Sequence, residues 1–385
     1  MRPAPPEPAA GLGLYVHLPF CPGRCPYCDF FAQPFDAAAA QALARAMLDH
    51  LPAVAEMAEG RRLATVYVGG GTPSMWPVRF LGGLLEAVER TIGLEANPEI
   101  SLEANPGTLG PAKLRLIAAC GVNRLSLGAQ SFQPALLQAL GRRHGPEQTI
   151  RVVEQARRAG LKNLSVDLIY GLPGQDAALA VADVEAAIAL ETDHLSLYEL
   201  TLGPQTPFGR RYVKGRPPLP DDDALAAMEH ALLKRLAATP LQRYEVSNFA
   251  RPGRQCRHNQ DTWRGHDYLA LGPGAHGHLA GRRFAFHADV GRYVSEVAAG
   301  RQPLAFEEAL TAQQRALELF MLGLRTVEGV DLAAVARLLG ADPTGRYGPA
   351  LAEVVKRGWA TAHGKRLRPT PAGLAMADAA AALFA

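Results

Sequence analysis

The 385-residue chain lacks most of what would place it in a membrane, in an oxidising compartment or on a nucleic acid. Cysteine is scarce, with 5 residues, too few for a disulfide framework in a chain of this length. No run approaches the roughly 18 consecutive apolar residues that a bilayer span requires. The opening residues, MRPAPPEPAA, have no apolar core of the kind a secretory leader carries. Their Pro/Ala composition predicts a loose, disordered tail over 1–11. Charge of one sign is missing too, because 40 basic against 37 acidic residues leave only +3. That surplus gives no field for non-specific binding to nucleic acid or lipid. With 48% hydrophobic and 20% charged residues, the chain has an ordinary globular composition and cannot be wholly disordered. These absences predict a cytoplasmic protein that is not integral to a membrane. The few cysteines are also unevenly spread, since Cys21, Cys25 and Cys28 share one short stretch.

Six apolar runs, at 14–20, 64–68, 100–103, 124–127, 164–169 and 194–200, read as short strands closed by Gly, Pro or Asn. Amphipathic, helix-period stretches fill the gaps at 37–59, 78–92, 111–120, 146–160 and 177–190. Repeated strand–helix alternation demands right-handed crossovers and a parallel sheet, either doubly wound or rolled into a partial barrel. A proline-rich polar connection over 204–223 follows, then a helix, a strand-like piece and a Gly- and His-rich segment over 258–287. From about 307 the pattern changes to short helices with one basic hairpin. The division predicts an α/β core over 12–203, a lid or linking segment over 204–305 that completes it, and a mostly helical, winged-helix-like domain over 306–385.

The strand ends hold the polar residues. The first runs into Cys21-Pro-Gly-Arg-Cys25-Pro-Tyr27-Cys28, the second into Gly69-Gly70-Gly71-Thr72-Pro73, and the third into Glu103-Ala-Asn105-Pro106. The fourth ends in Gly128-Ala-Gln130, the fifth holds Asp167, and the sixth holds Glu199 and runs into Thr201. In a parallel α/β array these ends share one face, where such folds place their sites. A carboxylate there is costly without a partner or ligand. Three thiolates spaced C-x3-C-x2-C, with no fourth ligand close behind, would leave one iron of a cubane cluster open to an outside ligand. The other reading is a tetrahedral zinc completed by His17 or a distant histidine.

The cysteine spacing after a first strand, with GGGTP after a second, resembles radical S-adenosylmethionine (SAM) proteins. Tyr15-Val-His-Leu-Pro-Phe-Cys21, Leu102-Glu-Ala-Asn-Pro106, Asn123-Arg-Leu-Ser-Leu-Gly-Ala-Gln130 and Asp167-Leu-Ile-Tyr-Gly-Leu-Pro173 narrow it. They are similar to the oxygen-independent coproporphyrinogen III oxidase group, over about residues 12–380. The oxidases of that group carry one more cysteine two positions after the third, where this chain has Phe30. The group's HemW-type heme-chaperone branch has an aromatic there and a later H-N-x-x-Y/W-W-like signature. His258-Asn259-Gln260-Asp261-Thr262-Trp263 resembles that signature, with Thr262 departing from its usual aromatic.

The resemblance implies an α/β fold, a partial (β/α)6 radical-SAM barrel with a winged-helix-like C-terminal domain. It implies a 4Fe–4S cluster on Cys21, Cys25 and Cys28, with SAM chelating the remaining iron. Gly70, Gly71 and Thr72 would border the methionine end of SAM. Glu103, Gln130, Arg142 and Asp167 would bond its amino, carboxylate and ribose groups, and Tyr15, Tyr27 and Thr201 would lie nearby. His258, Trp263 and His276 are the candidate heme contacts. The implied function is a heme chaperone that passes heme, or a related tetrapyrrole, to an acceptor protein. The alternative is the oxidase, which converts two propionates of coproporphyrinogen III to vinyls by SAM-dependent decarboxylation.

Other residues have plainer readings. Cys120, at a helix end, reads as a small core hydrophobe. Cys256, two residues before His258, is a loop thiol or a metal or heme ligand. His17 alternates with apolar neighbours and so faces the interior, either as a bonded core histidine or near the cluster. The basic hairpin Lys365-Arg-Leu-Arg368 is too isolated to predict nucleic-acid binding.

Overall fold

Alternation within the N-terminal strands decides the architecture. In the fourth, Arg124, Ser126, Gly128 and Gln130 share one side, while Leu125, Leu127 and Ala129 share the other and are fully buried. The computed structural model describes residues 11–385, so all of the expected tail except Gly11 lies outside the described residues. Six strands pair in parallel in chain order: β1 (Leu12–Leu18), β2 (Leu63–Gly70), β3 (Leu94–Ala104), β4 (Arg124–Gln130), β5 (Asn163–Tyr170) and β6 (His194–Glu199).

Because that order never reverses, there is no switch point, and right-handed crossovers put every intervening helix on one face. This settles the choice between doubly wound and rolled sheets in favour of a partial barrel. Leu14, Val16, Val66, Val68, Leu102, Leu125, Leu127, Val166 and Leu168 pack outward in one core with those helices. The inward face, carrying Tyr15, Tyr67, Glu103, Ser126, Asp167 and Ser196, forms a polar lumen. All six strands expected from the sequence are present, and β3 begins earlier than its apolar run.

The sheet continues at both edges. Antiparallel β7 (Gln242–Arg243) and β8 (Asn248–Ala250) extend it beyond β6. On the other side β9 (Tyr268–Leu271) lies parallel to β1, followed by antiparallel β10 (His276–Leu279), β11 (Arg282–Phe286) and β12 (Leu304–Ala309). The result is a 12-stranded open sheet. Residues 200–212 instead fold against the cysteine loop, where Phe208 N–H donates to the Pro26 carbonyl at 2.9 Å.

The C-terminal region has its own core of Phe320, Val335, Tyr347, Val354, Leu367 and Phe384. Its three longer helices, Ala312–Gly323, Leu332–Leu339 and Thr344–Lys356, pack beside a three-stranded sheet of β13 (Val330–Asp331), β14 (Ala360–His363) and β15 (Arg366–Pro369). With two short helices at the end, Pro371–Ala375 and Ala377–Ala382, five helices beside a short β-wing give the winged-helix-like form expected. Thr311 and Gln314 form a capping box that starts the first helix. Backbone bonds from Val246 to Arg325 and from Val327 to Tyr244 join this region to the barrel. Among the described residues no helix is long and apolar enough to cross a membrane.

Candidate metal and cofactor centre

The loop that leaves β1 carries all three clustered cysteines, each half-buried. The β2 turn holds it from below: Gly71 N–H donates to the Leu18 carbonyl at 2.8 Å and Thr72 N–H to the Phe20 carbonyl at 2.9 Å. The Thr72 hydroxyl lies 3.3 Å from Cys21 Sγ, and Cys28 N–H donates to the Cys25 carbonyl. This close approach gives the triple glycine a local reason. A Cβ on Gly71 would fall 2.7 Å from the Phe20 oxygen, and Gly70 adopts φ +112°. Gly71→Ala should therefore push the cysteine loop off the barrel and cost about 1–3 kcal/mol. Thermal melts combined with iron analysis of the reconstituted protein test this, and unchanged melting with full iron would refute it.

Burial raises the Cys21 and Cys28 thiols above the usual range. Arg142 supplies positive charge from the opposite side. One of its Nη atoms reaches Cys25 Sγ at 3.7 Å and the other donates to the Gly128 carbonyl. Among the described residues no three His, Cys, Asp or Glu side chains converge on a single point as one metal ion would need. Three separated thiols on one loop suit a cubane, which takes one thiolate per iron, better than a tetrahedral zinc.

Across the mouth, Glu103 accepts from the Tyr67 hydroxyl at 2.8 Å and from Gly70 N–H at 3.2 Å. Burial, reinforced by the charge of Asp167, pushes its carboxyl up to about 7. Asp167 is likewise raised by burial, although the Ser126 and Ser165 hydroxyls bond it at 3.0 and 3.1 Å. Gln130 sits beside Arg142 at φ +69°, a left-handed conformation that costs a non-glycine residue about 1–3 kcal/mol. Such strain belongs where the surroundings dictate a side chain's direction.

The structure therefore brings Cys21, Cys25, Cys28, Gly70, Gly71, Thr72, Glu103, Gln130, Arg142 and Asp167 together at the C-terminal ends of β1–β5. Tyr15 stands one pleat lower in the lumen, bonded to His17 Nδ1 at 3.0 Å and stacked on Tyr67. His17 in turn bonds the Phe31 carbonyl at 2.9 Å, so it braces the cysteine loop. Tyr27 packs against Phe208, in a small apolar cluster with Leu136 and Leu172, and its hydroxyl lies close to Cys25 and Arg142. Thr201 is exposed beyond β6.

The three candidate heme contacts separate. His258 lies at the opposite end of the lumen, on the helix Arg257–Trp263. It is 7% exposed, its Nδ1 is 2.8 Å from the Thr65 hydroxyl, and its ring is 5.3 Å from that of Tyr67. Glu99 fixes the start of that helix by accepting from the Arg257 and His258 amides. An imidazole so enclosed closes the base of the barrel. His258→Ala should destabilise the fold by roughly 2–4 kcal/mol, since it deletes a buried ring and leaves Thr65 unpaired. A denaturant midpoint equal to that of the unsubstituted protein would exclude this role. Trp263 is half-buried at the end of the same helix, whereas His276 is exposed on β10, on the mouth side. Cys256 is fully buried at the base, 3.5 Å from Glu99, and Cys120 packs near Gly82.

Sequence reasoning missed Tyr67, Arg124 and the serines around Asp167. Their signal was a polar residue at every second position of strands whose other face is apolar.

Comparison with known proteins gives consistent matches. Residues 15–183 match the Radical SAM superfamily and residues 310–376 the HemN C-terminal domain. The heme chaperone HemW of Mycobacterium tuberculosis is 36% identical over 377 residues, covering 97% of this chain and 95% of that one. The heme chaperone HemW of Escherichia coli is 41% identical over 267 residues, 69% of this chain and 70% of that one. The solved coproporphyrinogen III oxidase (HemN) of Escherichia coli superposes with a TM-score of 0.86, covering 97% of this chain and 90% of that one. At 22% identity, that last likeness concerns the fold alone.

Proposed function

Because the chain belongs to the HemW heme-chaperone family of radical SAM proteins, we propose that it binds heme and hands it to an acceptor protein. It uses a 4Fe–4S cluster and SAM as cofactors. Identity to heme chaperones along nearly the whole chain carries this reading, while the fold is common to chaperone and oxidase. Phe30 supports the same branch, being 65% exposed beside the cluster loop where the oxidase pattern has a further cysteine.

Cys21, Cys25 and Cys28 hold the cluster, and Thr72 and Arg142 border it. Glu103, Gln130, Arg142 and Asp167 offer SAM two acceptors, an amide and a guanidinium, matching its amino, carboxylate and ribose groups. When bound, cluster and SAM supply one-electron chemistry, and the protein positions them and limits the access of water. Free cysteines of this kind persist in a reducing compartment, which supports a cytoplasmic location.

The test reconstitutes the cluster anaerobically, loads one equivalent of heme and follows its appearance in an apo-heme protein. A parallel reaction with SAM, reductant and coproporphyrinogen III, beside an active oxidase control, is read by mass spectrometry. Heme transfer without divinyl product is the expected result. Stoichiometric or catalytic conversion would replace the chaperone reading with the oxidase.

A further inference from the structure

We propose that heme sits on the concave face of the sheet beyond β9, with His276 as an axial ligand of its iron and Phe306 packed against the macrocycle. The proposal rests on the heme-chaperone reading and gives it a place. Register puts His276 opposite Ala285, and Ala285 opposite Phe306, so the three share one row and one face across β10, β11 and β12. Ala285 is small enough that the flanking rings meet over it, with centroids 5.8 Å apart at 61°. Both rings are nonetheless exposed, Phe306 by 44%.

Of the neighbouring histidines, His17 bonds Tyr15 and Phe31 and His258 bonds Thr65, while His278 makes no hydrogen bond, stands 3.5 Å from Asp267 and is buried at 6% exposure, out of reach of a ligand at the surface. The His276 ring makes no hydrogen bond or ion pair among the described residues. The row also lies near the cysteine loop. The turn into β10 passes through Gly272 (φ +100°) and Gly274 (φ +77°), and a Cβ on Gly274 would stand 2.8 Å from the Phe31 ring. Phe31 follows the exposed Phe30, so aromatic surface borders this face from the cysteine loop as well.

An unbonded imidazole beside open aromatic rings is what a metalloporphyrin requires, a nitrogen lone pair for iron and apolar surface for the ring. A site open on one side also leaves heme accessible to an acceptor.

The test titrates heme into the reconstituted full-length protein and into H276A and F306A, reading absorbance and electron paramagnetic resonance. Both side chains are exposed, so melting temperature and cluster iron should match the unsubstituted protein. H276A should lose the imidazole-ligated spectrum, bind heme about tenfold or more weakly, and regain the ligation signature with added imidazole. F306A should bind several-fold more weakly with its ligation unchanged. Imidazole-type ligation persisting in H276A would overturn the proposal and leave the chaperone reading intact. If the unsubstituted protein binds no heme, both fall.

Discussion

Replacing Cys21, Cys25 or Cys28 singly with alanine will strip the reconstituted protein of its cluster, with iron content and visible absorbance falling on the order of tenfold or more in each case. Each thiolate would bind a different iron of a cubane, so loss of one leaves no neighbouring ligand to substitute. Among the described residues no further His, Cys, Asp or Glu joins them in a convergent set. The same substitution at the two remaining cysteines will leave iron untouched. Cys256 is sealed at the base of the lumen against Glu99, and Cys120 lies on the outer helix layer near Gly82. Iron and sulfide analysis of all five single variants separates the two groups in one experiment. Full iron retention in any of the three loop variants would refute the assignment of that cysteine. Loss of iron in the Cys256 variant alone would move the metal to the barrel base.

The sequence reveals the mouth of the barrel better than its interior. Mouth residues are punctuated by glycine, proline and cysteine at strand ends, and such breaks are readable one position at a time. The order of the six strands follows from helix-period spacers, because right-handed crossovers leave few alternatives. The lumen is a different matter. Arg124 reads as an ordinary charged residue at the start of a strand, yet it is 2% exposed, inside a barrel whose other inward residues are serines, carboxylates and tyrosines. Only closure of the sheet gives that polar face an inside.

His258 illustrates the limit more sharply. A histidine in a polar, loop-like stretch suggests a ligand, but Glu99 captures the amides at 257 and 258 and turns the stretch into a helix that plugs the base. That contact spans more than 150 residues and has no local signature. The position of His276 is hidden for the same reason. Its neighbour Phe306 is 30 residues downstream and meets it only through the β10–β11–β12 register.

SAM affinity will depend on pH through Glu103, and Glu103→Gln will weaken binding and flatten that dependence. Burial raises the carboxyl to about 7, and the Asp167 charge adds to the shift. The Tyr67 hydroxyl, the Gly70 amide and the Arg124 guanidinium favour the ionised form but do not cancel the burial. The raised value means that the cofactor-free fold takes up a proton that an unfolded chain would release. Glu103 therefore contributes stability at acid pH that is lost as pH rises through about 7. SAM works against that trend, because its amino and ribose donors need a carboxylate acceptor.

Binding should accordingly be about tenfold weaker at pH 6 than on its plateau above pH 7, since roughly one molecule in ten is ionised one unit below the pKa. The side-chain amide of E103Q would remain neutral throughout, offering one acceptor oxygen and no charge, so the affinity of that variant should be low at every pH. The paired measurements are anaerobic SAM titrations and melting curves of the cofactor-free protein at pH 6, 7 and 8. In the unsubstituted protein affinity climbs with pH while the Glu103 contribution to stability declines. In E103Q both slopes shrink. If E103Q keeps the original affinity and slope, Glu103 does not contact SAM, and its carboxyl serves only to hold the Tyr67 hydroxyl and the glycine turn in place.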